Sequence, residues 1–540
     1  MAHEESKLKV VFISPEFNIY CSGLRVLSSV VKNHGYRSVM VFMPIIGDEY
    51  PEKVMRNLID ICKGSLAICI TAMAINSKKA ELIAKSLRRL NIPIIIGGIH
   101  ATLNPEKCLE YVDFVSIGES EYALVELLDS IKRKEKRFRI KNICYKEDGK
   151  IVKNEVRELI QDINSLPLPD YDKSNKFICY DGEIVPFEEK HLRCGEYNIS
   201  NVFFIFFNSV MSYHTTRGCP YECKYCCNYD LKRIYNSKGK YVRFLSTETI
   251  IRGLESVVKL YPSIELIWFT DDDFFMKSLE SIKQFSIEYK RKINLPFMCY
   301  ANPRTIDEEK LKHLLNAGLK RVEVGIQTGS ERTNKQMYSR SISTDDIMKA
   351  ARILNKYKDE MFPPEYQFIN TNPLESEEDT IKTINLIINL PKPFRLKVFN
   401  MIFFPGSEFE KEYALGKEYN PGDDFSGRDY IDKFNHLRKG IRNKYYPVIL
   451  SLMDGYCADR KYGSIRKRYL DILLSKKVAQ LNKKIPVFSF FLMYIALNWK
   501  DPYWVLPSTK LKRISLKRTI NRERKKRKMV DPKGFIPVKF

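Results

Sequence analysis

Short apolar runs rich in β-branched residues alternate with helix-like segments along this 540-residue chain, and this alternation constrains its fold most. Near the N terminus, strand-like runs of the fully buried type are connected by helical segments, which predicts a parallel, doubly wound sheet. The strands are predicted at Lys9–Ser14, Ser38–Met43, Leu66–Thr71, Ile92–Gly97 and Asp113–Ile117. The helices are predicted at Leu24–Asn33, Glu52–Cys62, Lys78–Leu90, Pro105–Tyr111 and Tyr122–Lys132.

A second alternation begins near residue 209 and contains six strand signals. It predicts a partial (β/α)6 barrel of the TIM-like type, whose reactive groups would lie at the carboxyl ends of the strands. The strands are predicted at Val210–Thr215, Glu265–Thr270, Pro296–Ala301, Arg321–Gln327, Glu365–Ile369 and Lys397–Phe404. The helices are predicted at Thr247–Leu260, Leu279–Lys290, Asp307–Ala317, Asp345–Tyr357 and Glu377–Leu390.

These patterns divide the chain into five segments. Residues 8–132 form a Rossmann-like, flavodoxin-like domain, 133–205 a proline-punctuated connector, and 206–410 the partial barrel. Residues 411–509 are predicted to form a mainly helical C-terminal region, and residues 510–540 a basic tail. The predicted fold class is therefore α/β, with two different α/β domains in series.

The composition is that of a globular protein, with 44% hydrophobic and 29% charged residues. The opening residues carry no secretory signal, and the apolar runs are too short to span a bilayer. Thirteen cysteines in such a chain indicate reduced thiols, some of which serve as ligands. We therefore expect a cytoplasmic protein.

Positive charge is concentrated near the C terminus of a chain whose formal net charge is +24. Residues 510–528 contain eleven Lys or Arg and one acid. A solvated tail is one interpretation, and binding to nucleic acid or to an anionic membrane surface is another. Residues 486–499 are apolar and aromatic, which is compatible either with an interfacial membrane contact or with a helix packed on the barrel. Of these partners, we favour the membrane surface over nucleic acid.

Three cysteines, Cys219, Cys223 and Cys226, lie within eight residues directly after the first predicted barrel strand. A zinc knuckle is the main alternative, but it pairs closely spaced cysteines with a second pair downstream, and none follows here. An iron–sulfur cube takes thiolate ligands, and a set of three leaves one iron for a ligand that is not protein. The triplet therefore predicts a cluster with an open iron, with Cys227 as a bystander.

The triplet resembles the CxxxCxxC signature of the radical S-adenosylmethionine (SAM) superfamily. Further segments resemble the strand ends of that family's barrel: Ile267–Phe275, Ala301–Arg304, Gly325–Ser330 and Pro373–Glu375. The resemblance implies that SAM binds the open iron and that the cluster cleaves it to a 5′-deoxyadenosyl radical. It also implies SAM-contacting roles for Tyr225, Asp272, Arg304, Gln327 and Ser330. Gln327 and Leu374 depart from the acid and glycine that the family usually has at these places.

The N-terminal domain resembles the cobalamin-binding domain of one large radical SAM class, on the strings Ile94–Thr102 and Asp113–Glu121. The segment Glu16–Gly23 lacks the histidine that ligates cobalt in other cobalamin proteins, and we expect His100 to contact the corrin without ligating cobalt. The resemblance implies cobalamin contacts from Ser14, Thr71, Gly97, Gly98, His100, Thr102, Gly118 and Glu119.

Together the resemblances imply a cobalamin-dependent radical SAM enzyme that uses a [4Fe–4S] cluster, SAM and cobalamin. Methyl transfer to an unactivated carbon of a small-molecule or lipid-like substrate is the leading prediction. A reductant protein such as flavodoxin or ferredoxin would supply the electron. Oxidative cyclisation or ring rearrangement is the alternative chemistry within the class.

Two other functions remain open from the sequence. A methylthiotransferase would explain the basic tail but needs a second cluster, for which Cys21, Cys62 and Cys108 are available. A sensor or electron carrier would use the cofactors without turnover, yet it has no need of an open iron. Iron content separates the first of these from a single-cluster enzyme.

Overall fold

The computed structural model describes residues 7–16, 19–44, 49–192, 207, 209–370, 372 and 374–413, and a few positions between 446 and 480. The chain divides into two compact units. The first comprises residues 1–271, 291–295 and 403–422, and the second comprises residues 272–290, 296–402 and 423–540. Most of the predicted helical C-terminal region, including 486–499, and the whole basic tail lie outside the described residues.

The N-terminal sheet has five parallel strands at its centre, in the order β2-β1-β3-β4-β5. This is the flavodoxin-like order, in which the direction of strand addition reverses between β1 and β3. Strand interiors such as Val10–Ile13 are fully buried because helices cover both faces of such a sheet. The strands are β1 Lys9–Ser14, β2 Arg37–Phe42, β3 Ala67–Thr71, β4 Ile94–Gly97 and β5 Phe114–Ser116.

Two hairpins extend the N-terminal sheet at its edges. One, of β6 and β7, pairs antiparallel with β5, and the other, of β8 and β9, continues from β2. The sequence analysis described residues 133–205 as a connector, whereas four strands of this segment belong to the sheet. Alternating burial on short strands at an edge gives only a weak pattern in the sequence. The strands are β6 Ile143–Glu147, β7 Lys150–Lys153, β8 Lys176–Tyr180 and β9 Glu183–Pro186.

The helices of the N-terminal domain follow its strands. Leu58 and Ile83 illustrate why they pack on the sheet: both are fully buried, while the opposite helix faces carry charged residues. The helices are α1 Ser22–Asn33, α2 Glu52–Cys62, α3 Ser77–Leu87, α4 Ile99–Leu103, α5 Pro105–Cys108 and α6 Glu121–Lys132.

The six strands expected for the partial barrel are all present. In the first unit β10 pairs parallel with β13, and in the second unit β14, β15, β16 and β17 pair parallel in that order. The strands are β10 Val210–Tyr213, β13 Leu266–Phe269, β14 Phe297–Ala301, β15 Leu319–Gln327, β16 Glu365–Asn370 and β17 Phe394–Asn400. Two short strands, β11 Thr216–Arg217 and β12 Arg243–Phe244, pair antiparallel, and β18 Cys457–Ala458 pairs antiparallel with β17. The predicted α/β fold class is confirmed for both domains.

Helix starts in the barrel are fixed by side-chain caps. Ser246, Asp307, Ser343 and Ser376 each accept a hydrogen bond from a backbone amide in the first turn of a helix. Such caps satisfy amides that have no partner inside the helix. The helices are α7 Cys227–Ile234, α8 Thr247–Leu260, α9 Leu279–Lys292, α10 Glu308–Ala317, α11 Thr344–Lys356, α12 Glu377–Asn389 and α13 Glu408–Tyr413. No helix among the described residues is long and apolar enough to cross a membrane.

Candidate functional site

The three predicted cluster cysteines lie on one loop, between β11 and α7. The loop begins at Gly218, which has a left-handed backbone (φ +81°). A Cβ atom at this position would lie 2.2 Å from the carbonyl oxygen of Tyr241, so only glycine fits. The pairing of β11 with β12 therefore holds the backbone tightly just before Cys219.

The three cysteines are not in disulfides, and two of them are partly accessible. Cys219 is buried, whereas Cys223 and Cys226 are half-buried. The Cys226 amide donates to the Cys223 carbonyl oxygen at 2.9 Å, and Cys226 is the residue that precedes the first turn of α7. A helix N terminus lowers the pKa of nearby thiols, so this placement favours the thiolates that a cluster requires.

The donor set fits an iron–sulfur cluster in its chemistry. Three cysteines that are not in disulfides follow one another on a loop, and iron–sulfur clusters are held by thiolates. Among the described residues, no group of three metal-ligating side chains is already gathered in a metal-binding arrangement. Cys227 is the first residue of α7, and it is not in a disulfide either. Tyr225, predicted to contact SAM, is half-buried on the same loop.

A segment after the last barrel strand, residues 403–413, lies against the cysteine loop in the first unit. Glu412 pairs with Lys224 at 2.7 Å, and the Glu408 amide donates to Asp230 of α7 at 2.9 Å. The same segment reaches the N-terminal domain, where Asn104 donates to the Pro405 carbonyl oxygen at 2.5 Å. The sequence analysis missed this segment because its partners are far away along the chain.

The predicted cobalamin contacts gather at the carboxyl edge of the N-terminal sheet. Ser14, Thr71 and Gly97 end strands β1, β3 and β4. Ligands of this fold lie at this edge, at the reversal between β1 and β3. Gly98 is left-handed (φ +95°), and a Cβ atom there would lie 2.7 Å from the Ala72 carbonyl oxygen. Gly97, by contrast, leaves open space beside it, with the nearest atom 3.9 Å from a Cβ position.

His100 and Thr102 lie on α4 behind this edge. The imidazole of His100 is buried, and its Nδ1 has no hydrogen-bond partner among the residues that the structure describes. Burial and the charge of Lys107 lower the pKa of His100 to about 4, so it is neutral at physiological pH. A buried polar atom without a partner fits a site that receives a polar cofactor. Thr102 Oγ1 donates to the Gly98 carbonyl oxygen at 2.9 Å and accepts from the Gly118 amide at 3.0 Å.

Gly118 and Glu119, also predicted to contact cobalamin, already have protein partners. Tyr235 packs on Gly118 and accepts the Glu119 amide at 2.6 Å. The Glu119 carboxylate pairs with Arg217 and Arg243. Their cobalamin contacts stay a prediction.

The loop after β1 brings the side chains of Ser14, Glu16 and Cys21 together, which the sequence alone does not predict. The Ser14 hydroxyl lies 2.8 Å from the Cys21 thiol, and that thiol lies 3.7 Å from the Glu16 carboxylate. Burial raises the pKa of Glu16 to about 7 and that of Cys21 well above its usual range. Near pH 7 the Glu16 carboxyl is therefore about half ionised, whereas the Cys21 thiol is protonated. Cys21 has a left-handed backbone (φ 33°), which is rare for a residue other than glycine.

The acidic run after β13 separates into different roles. Asp271 is buried and accepts the Thr215 amide at 2.6 Å, and Asp273 is buried and accepts the Thr305 hydroxyl at 2.9 Å. Asp272, between them, is exposed. Asp272 is thus the member of this run whose carboxylate is accessible, in keeping with the prediction that it contacts SAM.

The other predicted SAM contacts lie in the second unit. Gln327 has a left-handed backbone (φ 74°) at an irregularity in the pairing of β15 with β16. Its amide folds back over Gly325, where a Cβ atom would lie 2.7 Å from Nε2. Arg304 is exposed and donates to the Ser341 carbonyl oxygen at 3.2 Å. Ser330 is fully buried and donates to Asp379 at 2.6 Å, so its hydroxyl already has a partner.

One face of β15 and β16 carries an unexpected charged layer. Arg321 pairs with Glu365 at 2.5 Å, and Gln367 donates to Glu323 at 2.8 Å. Burial and the charge of Glu365 raise the pKa of Glu323. Barrel interiors are usually filled by branched apolar side chains, so this layer is a departure that strand periodicity alone does not reveal.

Comparison with known families gives two matches. A model of the radical SAM superfamily matches residues 213–387, and a model of the B12 binding domain matches residues 8–128. The two matched segments contain the cysteine triplet and the carboxyl edge of the N-terminal sheet, respectively.

Curated relatives are distant. An uncharacterised methyltransferase of Pyrococcus horikoshii is 26% identical over 294 residues, which are 53% of this chain and 57% of that protein. This chain thus spans little more than half the length of that relative. A bacteriochlorophyllide d C-8(2)-methyltransferase of Chlorobaculum tepidum is 21% identical and matched over 71% of this chain and 74% of its own. An anaerobic magnesium-protoporphyrin IX monomethyl ester cyclase of Rubrivivax gelatinosus is 23% identical, over 69% and 65%.

Solved structures show the same fold. The radical SAM methyltransferase TsrM of Kitasatospora setae, solved with cobalamin and a [4Fe–4S] cluster bound, superposes with a TM-score of 0.60. The match covers 76% of this chain and 78% of TsrM at 16% identity. An identity this low supports a shared fold and leaves the substrate of this chain undetermined.

Proposed function

We propose that this chain, a member of the cobalamin-dependent radical SAM family, transfers a methyl group to an unactivated carbon of a small-molecule substrate. Its family is shown by a B12-binding domain that is followed by a radical SAM domain. Its cofactors are a [4Fe–4S] cluster, SAM and cobalamin. When bound, they supply an electron, a hydrogen-abstracting radical and a methyl group.

The observation that carries the proposal is the presence, in one compact unit, of a three-thiol loop and a glycine-lined strand edge. We assign Cys219, Cys223 and Cys226 to the cluster. We assign the edge at Gly97 and Gly98 to the corrin, because the missing side chains let a broad, flat ligand approach the backbone. Methyl transfer, as opposed to other radical chemistry, is supported by the two methyltransferases among the relatives.

The residues of the barrel would hold SAM through its charged ends. An exposed carboxylate at a strand end suits the ammonium group of SAM, and Asp272 meets that requirement. The strained backbone of Gln327 is typical of functional sites, and its amide can bond a ribose or a carboxylate. Tyr225 would pack on the adenine, and Arg304 would offer a cation to the SAM carboxylate.

The loop after β1 supplies no histidine to the proposed cobalamin site. In that loop, burial raises the pKa of Glu16 to about 7 and that of Cys21 well above its usual range. His100 is neutral at physiological pH and would offer a polar contact to the corrin.

Isotope tracing tests the proposal without knowledge of the substrate. The anaerobically reconstituted, cobalamin-loaded protein is incubated with reductant, S-adenosyl-[methyl-²H₃]methionine and fractionated metabolite extract. Methyl transfer predicts a metabolite carrying deuterium from the label, together with both 5′-deoxyadenosine and S-adenosylhomocysteine. The matched control is Cys223→Ala, which removes one proposed cluster ligand and should yield none of these products.

One alternative chemistry is favoured by a specific observation, since one of the relatives is a cyclase. Cyclisation or ring rearrangement would consume SAM to 5′-deoxyadenosine without forming S-adenosylhomocysteine. The same tracing experiment separates the two reactions. Deoxyadenosine with no homocysteine product and no labelled metabolite would refute methyl transfer and leave radical chemistry intact.

A further inference from the structure

A cluster of two carboxylates and two guanidinium groups joins the N-terminal domain to the strands beside the cysteine loop. Glu119 Oε1 lies 2.8 Å from Arg243 Nη2 and 3.2 Å from Arg217 Nη1. Its Oε2 accepts from Arg243 Nη1 at 3.0 Å. Arg217 also pairs with Glu121 at 2.5 Å. We call these four side chains the Glu119 cluster.

The Glu119 cluster is mostly buried, with the side chains of Glu119 and Arg217 18% and 25% exposed. The side chains of Glu121 and Arg243 are each 5% exposed. Burial opposes ionisation of Glu119, but the hydrogen bond from Arg243 and the charge of Arg217 outweigh it and hold its pKa below the usual range. Two carboxylates and two guanidinium groups balance, so removing one charge leaves a partner buried and unpaired, which is strongly unfavourable.

A second contact reaches the same turn from the other end of the cysteine loop. Tyr235 follows the last residue of α7, and its hydroxyl accepts the Glu119 amide at 2.6 Å. The hydroxyl lies only 1.9 Å from where a Cβ atom of Gly118 would be, and Gly118 is left-handed (φ +66°). A glycine at position 118 therefore leaves the space that the Tyr235 hydroxyl occupies.

Both ends of the cysteine loop are thus anchored on one two-residue turn. Arg217 lies two residues before Cys219 and binds Glu119, and Tyr235 ends the helix that follows Cys226 and packs on Gly118. The Gly118–Glu119 turn is also bonded to α4, because the Gly118 amide donates a hydrogen bond to the Thr102 hydroxyl. The turn therefore connects the loop of the thiols with the helix that carries His100.

We propose that the Gly118–Glu119 turn is a positioning element that sets the arrangement of the cluster relative to the corrin. Gly118 and Glu119 act through the cysteine loop and its flanking residues, by their contacts with Tyr235, Arg217 and Arg243. The inference rests on the cofactor placement proposed above. An enzyme whose cluster, SAM and cobalamin must act on one substrate needs the spacing of its cofactors fixed, since a misplacement of about 1 Å can cost about a hundredfold in rate.

The test measures the magnetic coupling between cob(II)alamin and the reduced cluster in the fully loaded protein, by pulsed electron paramagnetic resonance. Glu119→Gln keeps the shape of the side chain and removes its charge. The matched control is Glu126→Gln, which breaks a partly exposed Glu–Arg pair with Arg157 in the same unit. We expect a shifted or broadened coupling in the Glu119 variant at unchanged iron and cobalt content, and wild-type coupling in the control.

Wild-type coupling in a fully loaded Glu119→Gln protein would overturn the proposal. Should that variant fail to retain both cofactors, Tyr235→Phe decides, because it removes a single hydroxyl and leaves the ion pairs intact. A shifted coupling in Tyr235→Phe supports the positioning role, and an unshifted one refutes it. A wild-type protein that shows the coupling but makes no methylated product would refute the proposed function and leave this inference standing.

Discussion

Gly118→Ala is the substitution whose cost the structure defines best. The added methyl group would meet the Tyr235 hydroxyl at 1.9 Å and its Cζ at 2.7 Å. A left-handed backbone costs an alanine roughly 1–2 kcal/mol. Displacing Tyr235 would also leave the Glu119 amide without its partner, at roughly 1–3 kcal/mol. The total is therefore about 2–5 kcal/mol.

Gly35→Ala separates the two contributions. Gly35 also has a left-handed backbone (φ +85°), but nothing lies within 4 Å of a Cβ atom there. Gly35→Ala should therefore lose stability only through the strain of the left-handed backbone. Calorimetric melting should show that the free energy of unfolding of Gly118→Ala is about 2 kcal/mol lower than that of Gly35→Ala. For a domain of 150 to 250 residues this difference corresponds to a melting temperature about 4–8 °C lower.

A double-mutant cycle then tests the contact itself. In a Tyr235→Leu background the space beside residue 118 is open, so adding Gly118→Ala should cost only the backbone term, about as much as Gly35→Ala does in the wild type. Two results would refute the conclusion that Tyr235 packs on Gly118. One is an equal loss of unfolding free energy for the two glycine substitutions in the wild-type background, and the other is additive losses in the double-mutant cycle.

Two further predictions concern carboxylates. The pKa of Glu16 is about 7 in the folded protein, whereas its ordinary value is 4.5. The stabilising contribution of this carboxyl is therefore fully present below pH 4.5 and is lost as the pH rises through 7. The difference in melting temperature between the wild type and Glu16→Gln should change across this pH window and be flat outside it. Asp271→Asn should lower stability by about 1–3 kcal/mol because it disrupts two buried hydrogen bonds. Asp272→Asn should leave stability within about 0.5 kcal/mol but weaken SAM binding in equilibrium dialysis by about tenfold or more. Equal loss of stability in the two variants would contradict the separate roles assigned to them.

Much of the fold could be predicted because local signals and tertiary structure agree. The ranges Glu52–Cys62 and Thr247–Leu260 were predicted to the residue, since each has a clear apolar stripe, and Ser246 caps the second. The two edge hairpins could not be predicted, because their strands are short and are stabilised by pairing with the sheet.

The candidate site was predictable in its chemistry but not in its connections. Cysteine spacing and glycine strings carry local information, and they identified the loop and the strand edge. The partners of Glu119 are remote: Arg243 is 124 positions away along the chain. A single sequence contains no signal for such a pair, so the ion pairs of Glu119 could not be predicted. Likewise, nothing local showed that Ser330 bonds Asp379, 49 positions away.

Elemental analysis of the reconstituted protein tests the central claim most directly. One cluster held by three cysteines and one bound corrin predict about four iron atoms and one cobalt atom per chain. Cys223→Ala should lose iron and keep cobalt, whereas Cys227→Ala should retain both. About eight iron atoms per chain with no cobalt in the wild-type protein would contradict the account.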